Sequence, residues 1–253
     1  MGSSVTSLAA RHDPVLEARR DLAAAFRWAV RLGMHEGTCN HFSLVVPGEP
    51  DRYLINPHGL HFSEIKASDL LVIDGAGKVI EGNRTVEATA FFIHTRLHMA
   101  RPDAACVLHT HMPYATALTM VEEGRFEPCG QNALRFYGQI AYDDEYAGLA
   151  LDTDEGDRMG RVLGDKRVLF LANHGVVTTG PTVAQAFDDL YYVERAAQAQ
   201  VLAMSTGRKL KLVGDNVARE TQAQIERDSE TYARIHFGAL RRILDREEPD
   251  YAA

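Results

Sequence analysis

The stretch Ala105-Cys106-Val107-Leu108-His109-Thr110-His111 constrains this chain more than any other. It is short and apolar and follows Arg101-Pro102-Asp103, where proline ends the preceding helix. The pattern reads as a buried strand. Residues two apart on a strand share a face, so His109 and His111 project side by side with Thr110 opposite. Two converging imidazoles are half a metal site. A second apolar strand pattern, Val168 to Gly175, places His174 where the strand opens into glycine. Three imidazoles satisfy a divalent ion such as zinc and leave a coordination position open. Manganese or iron fits the same donors. With 11 histidines in the chain, core or surface histidines are the competing reading of the His-x-His spacing.

The remaining pattern places these strands in one α/β or α+β domain over residues 13–253, after a loose polar tail at 1–12. Asp13-Pro14 opens a helix that stops near Gly33, with an apolar stripe at Leu22, Phe26, Ala29 and Val30. Phe42–Val46 and Tyr53–Asn56 form an antiparallel pair around a Pro-Gly turn. Ser63–Asp69 makes one short helical turn, and strands follow at Leu70–Asp74 and Lys78–Gly82. Val86–Ala100 reads as a helix and Met112-Pro113 starts another. Short strands are expected at Arg125–Glu127 and Gln139–Tyr142, and a helix at Asp154–Leu163. A long helix capped by Thr182 runs to about Thr206, one more spans Asn216–Arg246, and Pro249–Ala253 is an open tail.

Glu87, in the first turn of the helix leading into the His109 strand, is the carboxylate placed to complete a metal site. A helix-terminal acid favoured by the macrodipole is the alternative. A net charge of −8 without a long basic run argues against nucleic acid or an anionic membrane as partner. Three scattered cysteines make no disulfide framework. No signal-peptide pattern or apolar run near 18 residues is evident, so a soluble cytoplasmic protein is expected.

Three blocks together carry a family resemblance. They are Gly37-Thr38-Cys39-Asn40-His41-Phe42-Ser43 with the turn Asn56-Pro57-His58-Gly59, Ile93-His94 through Arg101-Pro102-Asp103 to His109-Thr110-His111, and Asn173-His174-Gly175 with Gly180. Over residues 15–210 the chain resembles the class II aldolase/adducin family. The resemblance implies a three-layer α/β/α fold with a mostly antiparallel central sheet. It implies one divalent metal ion per subunit on His109, His111 and His174, and a homotetramer acting on a small-molecule substrate. Retro-aldol cleavage through a metal-stabilised enediolate is what the family implies.

The departures redirect the chemistry. The family's acid, four residues before the His matching His94, is here Ala90, and Glu87 lies three residues earlier. The phosphate-binding Ser-Ser aligns with Ala88-Thr89. Asn40, His41, His58 and Gly59 stand at the rebuilt substrate loop. A tyrosine protonates the leaving group in related aldolases. Tyr137 is the chosen candidate, with Tyr142, Tyr232 and Tyr251 behind it. Metal-dependent C–C cleavage of a small hydroxy or keto substrate is the expected activity. A metal-dependent decarboxylase of a hydroxy or aromatic carboxylate is the alternative, using His and Arg donors. A non-catalytic adducin-like interaction protein is a further one.

Overall fold

The computed structural model describes residues 13–149 and 152–253; the tail expected at 1–12 lies outside the described residues. Helix α1 (Pro14–Arg31) starts where the Asp13 carboxylate accepts the Val15 and Leu16 amides at 3.0 and 3.1 Å. Its apolar stripe buries Leu22, Phe26 and Ala29, and Phe26 packs on Phe42 and Phe62.

The strands are β1 (His41–Val46), β2 (Glu49–Ile55), β3 (Leu71–Asp74), β4 (Val79–Glu81), β5 (Cys106–Thr110), β6 (Ile140–Asp143), β7 (Val168–Leu171) and β8 (Gly175–Gly180). They form one eight-stranded sheet in the order β4-β3-β2-β1-β5-β8-β7-β6. Every pairing is antiparallel except β6 with β7. The antiparallel character expected of the sheet is therefore present.

Alternation along the strands divides the core between two faces. Phe42, Leu44, Cys106, Leu108 and Val176 face α1 and α6 (Val183–Met204). Val107, Leu169, Leu171 and Val177 face α2 (Ala88–Ala100) and α5 (Thr153–Leu163). Helices α3 (Pro113–Thr119), α4 (Gln131–Leu134), α7 (Asp215–Glu226) and α8 (Ser229–Glu247) complete the set. Glycine at 156 is what allows α5 to approach α2, because a Cβ there would stand 2.3 Å from the Phe92 carbonyl. Among the described residues no helix is long and apolar enough to cross a membrane.

Four expectations are corrected. Residues 125–127 form no strand: the Phe126 amide donates to the Tyr142 hydroxyl at 3.1 Å and the Glu127 amide to the Gln200 side chain at 2.8 Å. Side chains take the place of a strand ladder there. The single helix expected at 216–246 is two, α7 and α8. Ala218 is the one buried residue of α7, whereas α8 seats Ala233, Phe237, Leu240 and Leu244. Residues 249–253 are packed rather than open. Tyr251 is fully buried, Arg27 holds Asp250 at 2.9 Å, and the Ser68 amide donates to the Ala253 carbonyl at 2.9 Å. Helix α2 begins at Ala88, which makes Glu87 its N-cap.

Candidate metal centre

Strand β5 lies between β1 and β8, and this neighbourhood builds the site. His109 is paired in register with His41 on β1 and with Val177 on β8. Its Nδ1 lies 3.0 Å from the Val176 carbonyl, an acceptor, so Nδ1 carries the proton. His111 Nδ1 lies 2.5 Å from the Glu36 carboxylate and must likewise donate. Both Nε2 atoms are then bare lone pairs in the neutral rings, and they face each other at 3.2 Å. Unshielded lone pairs at that separation repel. Two nitrogens on a tetrahedral ion at Zn–N distances of about 2.0–2.1 Å would stand about 3.3 Å apart. The donor pair therefore has the spacing that a cation needs.

His174 completes the group. Asn173 adopts φ 55° between β7 and β8, a left-handed conformation that asparagine tolerates better than most residues. The turn is pinned by the Asn173 amide on the Thr119 carbonyl at 3.0 Å. It sends the His174 ring to 4.8 Å, centroid to centroid, from those of both His109 and His111. One ligand atom from each of the three lies within 4.8 Å of the others. Burial, then the neighbouring imidazoles, hold His109 well below the usual histidine pKa and His174 at about 4. Those rings are thus in the neutral form a metal requires.

Glu36 was not foreseen. It lies in the loop between α1 and β1, far from the His-x-His strand in sequence, and only the fold reveals it as the acceptor that orients His111. Glu36→Ala is expected to lower metal affinity about 10- to 100-fold, as for other partners of metal-ligating histidines. Competition with a chromophoric chelator reads this, and unchanged affinity would show that Glu36 does not hold His111.

The three histidines open on a cleft of about 920 Å³. His41, His58 and Glu87 line it, as do Ile93, Met120 and Tyr146. Asn40 is fully buried behind the lining: its Oδ1 accepts the Glu36 amide at 2.7 Å and its Nδ2 has no partner. Gly59 makes the adjoining turn at φ 84°. Glu87 accepts the Ala90 amide at 2.9 Å and the Thr89 hydroxyl, and its Oε2 is 3.5 Å from His41 Nε2. Burial raises its pKa, but the hydrogen bonds from Thr89 and Ala90 and the His41 charge outweigh this, leaving it below the ordinary value. Glu87 stands outside the three-histidine group. Ala90, at the family acid's position, is buried among Tyr53, Ile55, Leu71 and Ile73.

Tyr137 is not brought to this cleft within one chain; its ring lies under Arg219, and the neighbouring Asp215 pushes its hydroxyl pKa up. Tyr142 meets Arg125 and the Phe126 amide, and Tyr251 is buried beside Asp245. Among the described tyrosines, Tyr146 is the one that lines the cleft. Among the described residues no lysine or arginine does. Arg135 pairs with Asp188 and covers the Tyr192 ring, away from the cleft.

Comparison with known proteins agrees with this fold. Residues 20–201 match the family described as Class II Aldolase and Adducin N-terminal domain. A protein of Caulobacter vibrioides, named no further than as a class 2 aldolase candidate, is 37% identical over 93% of this chain and 92% of its own. Decarboxylase NovR of Streptomyces niveus is 32% identical over 93% of this chain and 88% of its own. The crystal structure of an aldolase II superfamily protein from Pseudomonas syringae superposes with a TM-score of 0.89 at 35% identity, covering 96% of this chain and 98% of that one. The chain belongs to the class II aldolase and adducin family.

Proposed function

We propose that this protein is a metal-dependent lyase that breaks a C–C bond in a small hydroxy or keto substrate at the three-histidine cleft. The observation that carries this reading is the convergence of His109, His111 and His174 at the cleft, with the Nε2 atoms of His109 and His111 3.2 Å apart. His109, His111 and His174 would hold one divalent ion, zinc foremost. When bound, such an ion supplies Lewis-acid polarisation of a substrate oxygen and stabilises the negative charge that develops as the bond breaks.

The chain's own groups do the rest. Glu87 is held as an anion at the cleft wall by Thr89 and Ala90, and keeps a negative charge beside His41. Ile93, Pro113, Ala117, Met120 and Leu149 give the cleft an apolar wall. With no lysine or arginine among the described lining residues, a phosphate dianion finds no Lys or Arg partner there. This favours an unphosphorylated substrate. Decarboxylation of a hydroxy or aromatic carboxylate is the second reading, favoured by the partly apolar lining and by the name of the Streptomyces niveus relative. A purely adducin-like interaction role leaves the facing lone pairs without a purpose. Assembly as a homotetramer suits the exposed Met120, Tyr146 and Leu149 at the cleft, which a second copy can cover.

The test is a panel of sugar phosphates, unphosphorylated hydroxy and keto acids, and aromatic hydroxy acids, offered to zinc-loaded and chelator-treated protein. Aldehyde and carbon dioxide are measured separately. Turnover is expected on unphosphorylated acids and is lost on chelation. Aldehyde without carbon dioxide rejects the decarboxylase reading. No turnover on any member by protein shown to hold zinc would overturn the lyase reading.

A further inference from the structure

Three buried polar side chains behind the cleft have no place in the metal centre. Ser43 projects from β1 on the same face as His41, two residues away. His94 and His98 lie one turn apart on α2 and both meet it: Ser43 Oγ is 2.6 Å from His94 Nδ1 and 2.7 Å from His98 Nε2. All three are 4% exposed or less. The direction of each hydrogen bond follows from the acceptor at the far end. His98 Nδ1 lies 3.2 Å from the Ala104 carbonyl, which can only accept, so Nδ1 bears the proton. In a neutral ring His98 Nε2 is then bare, and the Ser43 hydroxyl donates to it. Ser43 has a single proton, so it accepts from His94, whose Nδ1 must be protonated. His94 Nε2 is left as a lone pair, buried and without a partner. Tyr53 stacks on His98 at 4.8 Å and 10°, which fixes the plane of that end. Burial holds both His94 and His98 below the usual histidine pKa, consistent with neutral rings.

The open end of this chain meets the cleft wall. The His41 ring stands perpendicular to that of His94 at 6.0 Å, and both His41 nitrogens lack partners although the residue is 4% exposed. On its other sides His41 stacks at 6.1 Å on His109 and lies 3.5 Å from Glu87. Buried polar atoms are rarely left without partners, so the unmet acceptor on His94 and the unmet nitrogens of His41 complement one another.

We propose that Ser43, His94 and His98 form a one-directional hydrogen-bond relay from the Ala104 carbonyl to a bare acceptor on His94, and that this acceptor fixes the orientation of His41 at the cleft. The three are positioning residues, acting through His41. The proposal rests on the reading of this cleft as the active site.

The experiment is long-range ¹H–¹⁵N correlation on the full chain carrying ¹⁵N-histidine, with His94→Gln and His98→Gln used for assignment. His94 and His98 are each expected to be protonated on Nδ1 and bare on Nε2. A proton on Nε2 of either ring overturns the relay. In Ser43→Ala the ring-nitrogen resonances of His41 are expected to shift, with zinc affinity unchanged, and Ser43→Thr restores them by keeping the hydroxyl. Unmoved His41 resonances in folded Ser43→Ala overturn the link to His41. A zinc titration of the wild type separates the two claims. Failure to bind zinc removes the metal reading and leaves the tautomer result to decide the relay.

Discussion

His109→Ala is expected to lose metal binding and turnover together. The residue is 1% exposed, its Nδ1 is held by the Val176 carbonyl, and its Nε2 faces that of His111. Truncation leaves two imidazoles, one of them anchored only through Glu36 in a solvent-exposed loop. A loss of about 4 kcal/mol in metal-dependent stabilisation corresponds to about a thousandfold in rate. Calorimetric zinc titration and single-turnover assay read the two effects. Circular dichroism shows whether the fold survives the deletion of a buried ring. Retention of one zinc per chain at wild-type affinity would sink the metal-centre reading.

Gly175→Ala is expected to damage the same site through the backbone. A Cβ there would lie 2.6 Å from the Thr110 carbonyl and 2.8 Å from His111 Cδ2. Position 175 is paired with Leu171 on β7 and lies one residue beyond Val176, the partner of Thr110 on β5. The methyl can be accommodated only if the two strands part at their site end, because the Thr110 oxygen is main chain. Overpacking of this kind costs about 1–3 kcal/mol, and for a chain of this size each kcal/mol lowers Tm by roughly 2–4 °C. The displacement also moves His111 against His174, so zinc affinity should fall about 10-fold or more, of the order seen when supports of metal ligands are lost. Scanning calorimetry with and without zinc checks both. A variant with wild-type Tm and wild-type zinc affinity would show that the strands tolerate the methyl.

The sequence made the three histidines visible and left their supports hidden, for a physical reason. His109, His111 and His174 sit on or beside short apolar strands, where periodicity alone fixes the face. Helices α1, α2 and α6 were legible through caps and apolar spacing at Asp13, Pro102 and Thr182. Glu36 and Ser43 carry no periodic signal; each acquires its role from a partner on another element. The Arg125–Glu127 segment has local strand character, but the Tyr142 hydroxyl and Gln200 amide satisfy its backbone instead. Tyr251 looked like a terminal residue, yet a fully buried ring outweighs position in the chain. Tyr137 has nothing local to tell a cleft tyrosine from one that pairs with α7, and the chain places it with Asp215 and Arg219.

The pairing of β5 with β8 has a consequence in time as well as in space. His109 and the Val176 carbonyl that orients it are 67 residues apart in the chain. Local structure can form early, but the three-histidine site exists only after this long loop has closed, and closure of non-local pairs is slow. An ion that needs all three rings therefore has little to bind in the collapsing chain. Its free energy falls on the native side of the folding barrier, so occupancy lengthens the lifetime of the folded protein without hastening its birth.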